Sequence, residues 1–491
     1  MLRKAIVFLS LVFPVLLSAQ ALFYNNGANM YVKNGGFMIV KTNSVQNASG
    51  LIANEGTVVV EGYVRNDATI NGSGDTIRLT GDWINNGTYS GNGSWVEMVG
   101  GAQLLTGSQP TIFNNLALLG GNVVKTQTID QEVTGILRLN DAELATEDYR
   151  MYVSNPNPNA IFRNNGFVSS LGYGNLSRAT NTTAAYLFPT GSPSSLGSSL
   201  YRPIEIRPSA ASTHIFGVRT IKGDATAAGF NVNQFDDSLC KVNPNFYHHI
   251  QRLAGSNPAA VTMFYDPAND GVWNAQANWR INQLWNYTGT STQGNVQGFA
   301  TVVVGYSFPD THAQHALAAK RFTIDAGPTL ELVEGETGQL NPVVTGINSP
   351  SYNWLPPTFL SCTDCPTPDV TPAEAIVYTL IVTDASGCSA SDTVSVRVLP
   401  DDLFMPTGFS PNGDGVNDVF RPLNKNLKKF KLQIYNRWGE LIFETDNPKI
   451  GWDGIYKTHE QGIGVYAWTA EYQTFNMKKS KFVSGNVTLV R

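Results

Sequence analysis

A strand-and-turn pattern recurs near the N-terminus at an offset of 19 residues. Residues 57–74 (TVVVEGYVRNDATINGSG) align with residues 76–93 (TIRLTGDWINNGTYSGNG), and apolar and polar side chains alternate in both with the period of a half-buried strand. The equivalent positions include the pairs Gly62/Gly81, Asn66/Asn85, Thr69/Thr88 and Gly72/Gly91. Because one coil of this length cannot bury its apolar face alone, the fixed offset predicts a β-solenoid over residues 22–155.

Two other interpretations of the repeat stay open. A β-sandwich with similar hairpins would show the same alternation, although it does not require a constant offset. Some solenoids are polysaccharide lyases or hydrolases, whose chemistry needs carboxylates that converge on one groove with Arg or Lys. Glu61, Asp82 and Glu97 fall at non-equivalent points of the repeat, which favours solvated edges over a catalytic groove.

Residues 1–21 have the pattern of a signal peptide. Arg3 and Lys4 precede an apolar run over residues 5–17, and Ala19-Gln20-Ala21 is a small-x-small cleavage site. The run is shorter than the ~20 residues that a membrane-spanning helix needs. We therefore expect an exported protein without a transmembrane helix in its mature chain.

The composition supports an all-β chain. Only 14% of residues are charged, and the 46 Gly residues, with Asn nearly as frequent, suit short strands joined by tight turns. We predict an N-terminal β-solenoid, a middle β-sandwich, an Ig-like sandwich and a small C-terminal β-sandwich. The net charge of -5 gives no general attraction to nucleic acid.

The middle region, residues 160–320, follows an Asn- and Pro-rich segment at 155–159 that is typical of a linker. Trp273, Trp279 and Trp285 recur within thirteen residues of this region. They would serve as a sugar-stacking platform in a carbohydrate-binding module, but packing in a sandwich core is the favoured interpretation.

Residues 322–399 resemble the PKD-like and related Ig-like modules of bacterial surface proteins. Trp354 is placed like the buried tryptophan of such a sandwich, and alternating apolar residues near 378–382 and 394–398 indicate strands. The segment departs from the PKD pattern after Trp354, where Leu355-Pro356-Pro357 stands in place of an acidic turn.

Three cysteines lie in or near this module: Cys362, Cys365 and Cys388. A redox motif would need a thioredoxin-like context, and a zinc site would need four ligands. We expect a disulfide instead, either Cys362–Cys365 or one of these two with Cys388.

The C-terminal segment, residues 403–491, carries several motifs in a fixed order. The residues that define them are Pro411, Asn412, Gly413, Asp414, Gly415, Asn417, Asp418, Tyr435, Asn436, Arg437, Trp438, Gly439, Trp452, Asp453 and Gly454. In order and spacing the segment resembles the gliding-motility-associated C-terminal domain, which is the type B sorting domain of type IX secretion.

This resemblance implies a route of export. The signal peptide would direct passage to the periplasm, and the outer-membrane type IX machinery would read the C-terminal domain and pass the protein to the outside. Physically, Arg437-Trp438-Gly439 predicts the turn of a hairpin, and residues 487–490 predict a last strand that a receptor could extend by edge addition.

The loop at 412–418 also resembles half of a calcium site. Asn412, Asp414 and Asp418 would supply oxygen ligands, and the glycines between them let the backbone curve round a cation. The alternative is a network of Asx turns in a Gly-rich loop.

We thus expect a secreted protein of the cell surface with a non-catalytic adhesive or structural role. Its partners would be the type IX machinery and, outside the cell, glycans or other surface proteins. A carrier of a carbohydrate-binding module and a solenoid polysaccharide lyase or hydrolase are the alternative functions.

Overall fold

The computed structural model describes residues 22–491 except 198–199, 281, 290, 297–298, 305–311, 334, 348, 400–401, 424–426 and 476. The predicted signal segment 1–21 therefore lies outside the described residues. The chain divides into two compact units, residues 1–321 and 322–491. Nearly all regular structure is β, as the sequence predicts.

Over the described residues 22–169, eighteen strands build a solenoid of about seven turns. They are β1 (Leu22–Val32), β2 (Phe37–Asn54), β3 (Thr57–Asn66), β4 (Thr69–Ser73), β5 (Thr76–Leu79), β6 (Trp83–Asn85), β7 (Thr88–Asn92), β8 (Trp95–Met98), β9 (Gln103–Thr106), β10 (Ile112–Phe113), β11 (Asn115–Leu118), β12 (Val124–Gln127), β13 (Gln131–Val133), β14 (Leu137–Asn140), β15 (Glu143–Ala145), β16 (Arg150–Val153), β17 (Ile161–Arg163) and β18 (Phe167–Ser169).

In the rest of unit 1, the residues that the structure describes form fourteen strands, one short helix and two 3-10 turns. The strands are β19 (Asn175–Thr180), β20 (Tyr186–Phe188), β21 (Gly191–Ser192), β22 (Leu200–Tyr201), β23 (Ile204–Pro208), β24 (His214–Lys222), β25 (Leu239–Val242), β26 (Phe246–Ala254), β27 (Ala259–Tyr265), β28 (Ala275–Trp279), β29 (Trp285–Tyr287), β30 (Ser291–Val296), β31 (Phe299–Val304) and β32 (His312–Lys320). The 3-10 turns span Ser194–Leu196 and Ala225–Ala228, and the helix α1 spans Pro267–Asp270.

The described part of unit 2 contains fifteen strands. They are β33 (Thr323–Asp325), β34 (Leu330–Val333), β35 (Gly338–Gln339), β36 (Val343–Thr345), β37 (Ser351–Leu355), β38 (Asp369–Val370), β39 (Ile376–Thr383), β40 (Ser389–Leu399), β41 (Gly408–Phe409), β42 (Leu427–Tyr435), β43 (Leu441–Thr445), β44 (Ile455–Tyr456), β45 (His459–Glu460), β46 (Gly464–Thr474) and β47 (Lys481–Leu489).

The solenoid strands pair in parallel, and the register reproduces the offset read from the sequence. Val58 pairs with Ile77, which is 19 positions on, and Asn66 pairs with Asn85. Leu79 on β5 pairs with Met98 on β8, and both side chains are fully buried inside the solenoid. The repeating glycines have a steric cause, because a Cβ on Gly81 would lie 2.5 Å from the backbone of the coil before it.

The parallel stacking continues beyond residue 155, where the sequence placed the end of the repeat. β17 pairs with β14, β18 pairs with β15, and β19 pairs with β16. The Asn- and Pro-rich segment 155–159 is therefore a corner of a coil, and Tyr186 Oη donates to the Pro156 carbonyl oxygen at 2.9 Å. The later coils are longer than 19 residues, as the pairing of Leu137 with Ile161 shows, so the sequence carries no constant offset there.

The middle region is a pair of packed antiparallel sheets, which confirms the predicted β-sandwich class. One sheet continues the solenoid from β19 in the order β19-β24-β26-β32-β28-β29, and the other has the order β20-β23-β27-β31-β30. Gln276 on β28 donates to carbonyl oxygens of the second sheet, at 3.0 Å to Val261 and 2.5 Å to Val302. The two layers are thus joined across their interface by a buried amide.

The first part of unit 2 contains a four-stranded sheet in the order β34-β40-β39-β37. Trp354, on β37 of this sheet, is fully buried, and so are Tyr378, Leu380 and Val382 on β39. The alternation predicted for these strands is present, while the assignment to the PKD-like or Ig-like modules stays a prediction.

The last part of unit 2 is a five-stranded sheet in the order β41-β47-β46-β42-β43. The predicted hairpin is present, since β42 and β43 pair antiparallel with Ile434 opposite Phe443. Tyr466, Trp468, Ala470 and Tyr472 lie on one buried face of β46, as the alternation predicts.

Candidate functional site

The glycine-rich loop over residues 412–418 is held by its own acidic side chains. Asp418 accepts backbone N–H groups from Asn412 at 3.0 Å and Gly413 at 2.8 Å on Oδ1, and from Gly415 at 2.8 Å on Oδ2. Asp414 accepts the Val416 N–H at 2.7 Å and the Asn412 amide at 2.9 Å. The bond from Asn412, and then that from Val416, lowers the pKa of Asp414 below its usual value.

These contacts match the Asx-turn alternative of the sequence analysis. The carboxylates of Asp414 and Asp418 already accept hydrogen bonds from the loop, and a cation would compete with those donors. Among the described residues no group of three or more His, Cys, Asp or Glu side chains is placed to hold a metal ion. Calcium binding by Asn412, Asp414 and Asp418 stays a prediction.

The second motif, Trp452-Asp453-Gly454, anchors this loop to the core. Trp452 is fully buried, its indole N–H donates to the Ile455 carbonyl oxygen at 3.0 Å, and its ring centroid lies 5.3 Å from that of Phe409. Gly454 has a φ of +80°, and a Cβ there would lie 3.3 Å from Pro411. The two motifs, far apart in sequence, thus meet at one end of the domain.

The third motif forms the exposed hairpin turn. Asn436 Oδ1 accepts the N–H groups of Trp438 at 2.9 Å and Glu440 at 3.0 Å, and Gly439 takes a positive φ of 78°. Trp438 is 85% exposed, so its indole makes no contribution to the core. A groove of about 520 Å³ beside it is lined by Asn436, Arg437, Trp438 and residues 461–466.

The last strand is less open than the sequence analysis expects. β47 pairs along one side with β46, and at its end Gly408 and Phe409 pair with Thr488 and Leu489 from the other side. Edge addition at residues 487–490 is therefore blocked, because the backbone groups there already have strand partners.

An ion pair at the chain end was not foreseen from the sequence. Arg491 Nη1 lies 2.7 Å from Glu460 Oε2 and lines a pocket of about 320 Å³ with Pro411, Gly413, Asp418 and Asp453. The residues of the first two motifs and the terminal side chain thus form one surface, which we call the motif end. The sequence does not predict this surface, because the residues that form it are far apart along the chain.

The cysteine alternatives are resolved in favour of the short loop. Cys362 and Cys365 form a disulfide with their Cα atoms 5.9 Å apart. The indole N–H of Trp354 donates to the Cys365 carbonyl oxygen at 3.1 Å, so the bridged loop covers the buried tryptophan. Cys388 is also disulfide-bonded, but not to Cys362 or Cys365, and Asp384 accepts its backbone N–H at 2.8 Å.

The three tryptophans of the middle region do not form an exposed platform. Trp273 and Trp285 are buried, and Trp279 is half-buried. The rings of Trp279 and Trp285 meet edge to face, with centroids 5.7 Å apart and planes at 72°. They pack as core residues, which is the favoured interpretation of the sequence analysis.

Residues 403–489 match the model of the CHU_C Type IX secretion signal domain. The match confirms the resemblance drawn from the C-terminal motifs, and it implies export to a secreted or cell-surface location. No match exists among curated proteins. No helix among the described residues is long and apolar enough to cross a membrane.

Solved structures give only distant likenesses. Human CDH23 EC21-23 has 11% identity and a TM-score of 0.17, with 44% of this chain and 88% of that chain covered. Dimeric latent PorU from Porphyromonas gingivalis has 9% identity and a TM-score of 0.13, covering 59% of this chain and 31% of that chain. PcdhgB3 EC1-4 has 9% identity and a TM-score of 0.18, with 63% and 71% covered. At these scores the likenesses carry no argument.

Proposed function

We propose that this exported protein works at the cell surface as a non-catalytic adhesive or structural protein. The observation that carries the proposal is the joining of a long, internally bonded solenoid to a type IX secretion signal domain. In a stack of coils each coil contacts only its neighbours, and the resulting extended surface suits a stalk or a contact surface. The signal domain accounts for how such a surface reaches the outside of the cell.

The acidic side chains of the repeat support the non-catalytic part of this proposal. Asp82 accepts the Leu104 N–H at 2.7 Å, and Glu97 lies 3.3 Å from Arg78 in a surface ion pair. Glu61 is exposed on a different coil. Asp82 and Glu97 thus have separate local partners and Glu61 is exposed, whereas glycan cleavage needs two groups placed about one bond.

The test compares cells that make the full chain with cells that make a chain lacking residues 22–321 but keeping the signal peptide and residues 322–491. We expect both chains at the surface by protease shaving, and adhesion to glycan-coated surfaces only with the full chain. Equal adhesion by the two strains would contradict an adhesive role. Release of reducing ends from polysaccharides by the purified full chain would contradict a non-catalytic one.

A carrier of a carbohydrate-binding module remains the second candidate function, but Trp273, Trp279 and Trp285 do not support it. The buried tryptophans offer no stacking face, so a sugar site would have to lie elsewhere in unit 1. One cavity of that unit has a suitable lining.

A further inference from the structure

A pocket of about 690 Å³ opens between the last solenoid coils and the strands β22 and β31. Its floor comes from the corners that precede β12, β15 and β18, so residues about one coil apart lie side by side. Its wall comes from Tyr201 on β22 and Phe299 on β31. All of these residues belong to unit 1.

Aromatic side chains line one side of this pocket. The ring centroid of Tyr201 lies 5.8 Å from that of Phe299 and 6.2 Å from that of Phe167. The guanidinium of Arg163 lies over the Tyr201 ring at 4.0 Å, so a cation and an aromatic wall share the site. Sugars present C–H faces that pack on such a wall while their hydroxyls point to polar groups.

Polar groups with unused bonding capacity face this wall. Arg163 donates from Nε to the Gly166 carbonyl oxygen at 2.6 Å, which leaves its Nη groups without a hydrogen bond among the described residues. Asp141 accepts the backbone N–H and the amide of Asn165 on Oδ1, at 3.2 Å and 3.0 Å, and leaves Oδ2 open. The pocket therefore offers a donor pair and an acceptor within one cavity.

Glu143 fixes the floor rather than adding a reactive group. It is almost fully buried, accepts the Ser169 hydroxyl at 2.5 Å, and accepts the Ser194 N–H at 3.2 Å on both oxygens. Burial raises the pKa of Tyr201 to about 12, so its phenol stays protonated at neutral pH. A buried carboxylate held by two donors and a protonated phenol are poor general bases.

We propose that this pocket binds a neutral saccharide. Two carboxylates and one guanidinium give it a negative balance, which disfavours uronates and other anionic sugars. Hydroxyl groups both donate and accept, which matches Arg163 and Asp141, and the aromatic wall receives the apolar face of the ring. The inference rests on the proposed function, because the protein would encounter the saccharide only at the cell surface.

The test measures binding of the purified full chain to an array of neutral hexose oligosaccharides and the corresponding uronate oligomers. We expect binding to neutral members only. Arg163→Gln and Asp141→Asn should each weaken it by about tenfold or more, since each removes a direct contact to the ligand. The matched control is Arg138→Gln, because Arg138 also lies over an aromatic ring, that of Trp95 at 4.1 Å, but outside the pocket.

Circular dichroism and melting curves check that each variant is folded, and Asp141→Asn, which keeps the side-chain volume, covers the case in which Arg163→Gln does not fold. The proposal is overturned if the protein prefers uronates, or if it binds nothing on the array. It is also overturned if both pocket variants bind the neutral oligosaccharides as tightly as the unsubstituted chain does. Because the assay uses purified protein, it can fail while the surface adhesion assay succeeds. Conversely, saccharide binding by the purified protein without adhesion of the cells would support the pocket and contradict the adhesive role.

Discussion

Asn66 donates from Nδ2 to Oδ1 of Asn85 at 2.9 Å, inside the solenoid and 19 residues away along the chain. The contact is one rung of a ladder, since Asn47 donates to Asn66 at 3.1 Å and Asn25 donates to Asn47 at 2.8 Å. All four amides are buried. The last two rungs each span 19 residues, so the offset in the sequence is also the spacing of these hydrogen bonds.

Replacing Asn66 with Ala should destabilise the solenoid. The change removes the donor to Asn85 Oδ1 and to the Thr88 carbonyl oxygen, each 2.9 Å from Asn66 Nδ2, and it removes one of the two acceptors of the Asn47 amide. We expect a loss of about 1–3 kcal/mol in the free energy of unfolding, measured by urea titration with tryptophan fluorescence. Asn92→Ala, at an exposed position of β7, is the control and should change little. Equal midpoints for both variants would exclude the ladder as a source of stability.

Acid should weaken unit 1 through a buried histidine. His248 is fully buried, and burial, aided by the nearby charges of His315 and Arg202, lowers its pKa from 6.5 to about 3. Between these values the unfolded chain binds a proton that the folded chain does not, so stability falls as pH drops, by up to ~1.4 kcal/mol per pH unit. His248→Gln should flatten the dependence of the urea midpoint on pH between about pH 6 and pH 4. An unchanged slope would refute this role.

The loop at the motif end should depend on Asp418 more than on calcium. Asp418→Ala removes the acceptor of three backbone N–H groups, and we expect a loss of about 1–2 kcal/mol in stability, with Asp418→Asn less affected. We also expect the same melting temperature in EDTA and in millimolar calcium. A higher melting temperature with calcium would instead support the cation site that the sequence suggests.

Trp438 should matter for export and not for folding. Because the indole is 85% exposed, Trp438→Ala should change the free energy of unfolding by no more than about 0.5 kcal/mol. If the secretion machinery contacts this turn, the variant should be retained in the periplasm in a folded state. Phe482→Ala removes another exposed aromatic ring of the same sheet and is the control. Normal secretion of the Trp438 variant would show that the secretion machinery does not recognise the indole at this turn.

The repeat could be predicted from the sequence because its cause is local. Gly81 passes so close to the coil before it that no Cβ fits, and Asn85 must bond to Asn66, so residue types recur at fixed spacing. The C-terminal hairpin was equally readable, since the turn residues Arg437-Trp438-Gly439 lie between two alternating strands.

The candidate sites could be predicted only in part. The motifs identify the signal domain, but the ion pair of Arg491 with Glu460 involves residues that no motif marks. The saccharide pocket joins Asp141, Arg163 and Tyr201 with Phe299, which is far along the chain. Asp141 and Arg163 lie on coils longer than 19 residues, so the 19-residue offset does not align them. The positions of Tyr201 and Phe299 depend on long-range packing of the middle region.

The most direct test of the account follows the location of the protein when residues 403–491 are removed. Cells are made to express the full chain or a chain that ends at residue 402, and the periplasm, the cell surface and the medium are probed with an antibody to unit 1. The account predicts that the full chain reaches the surface or the medium and that the shortened chain stays folded in the periplasm. Arrival of the shortened chain at the surface in equal amount would contradict it.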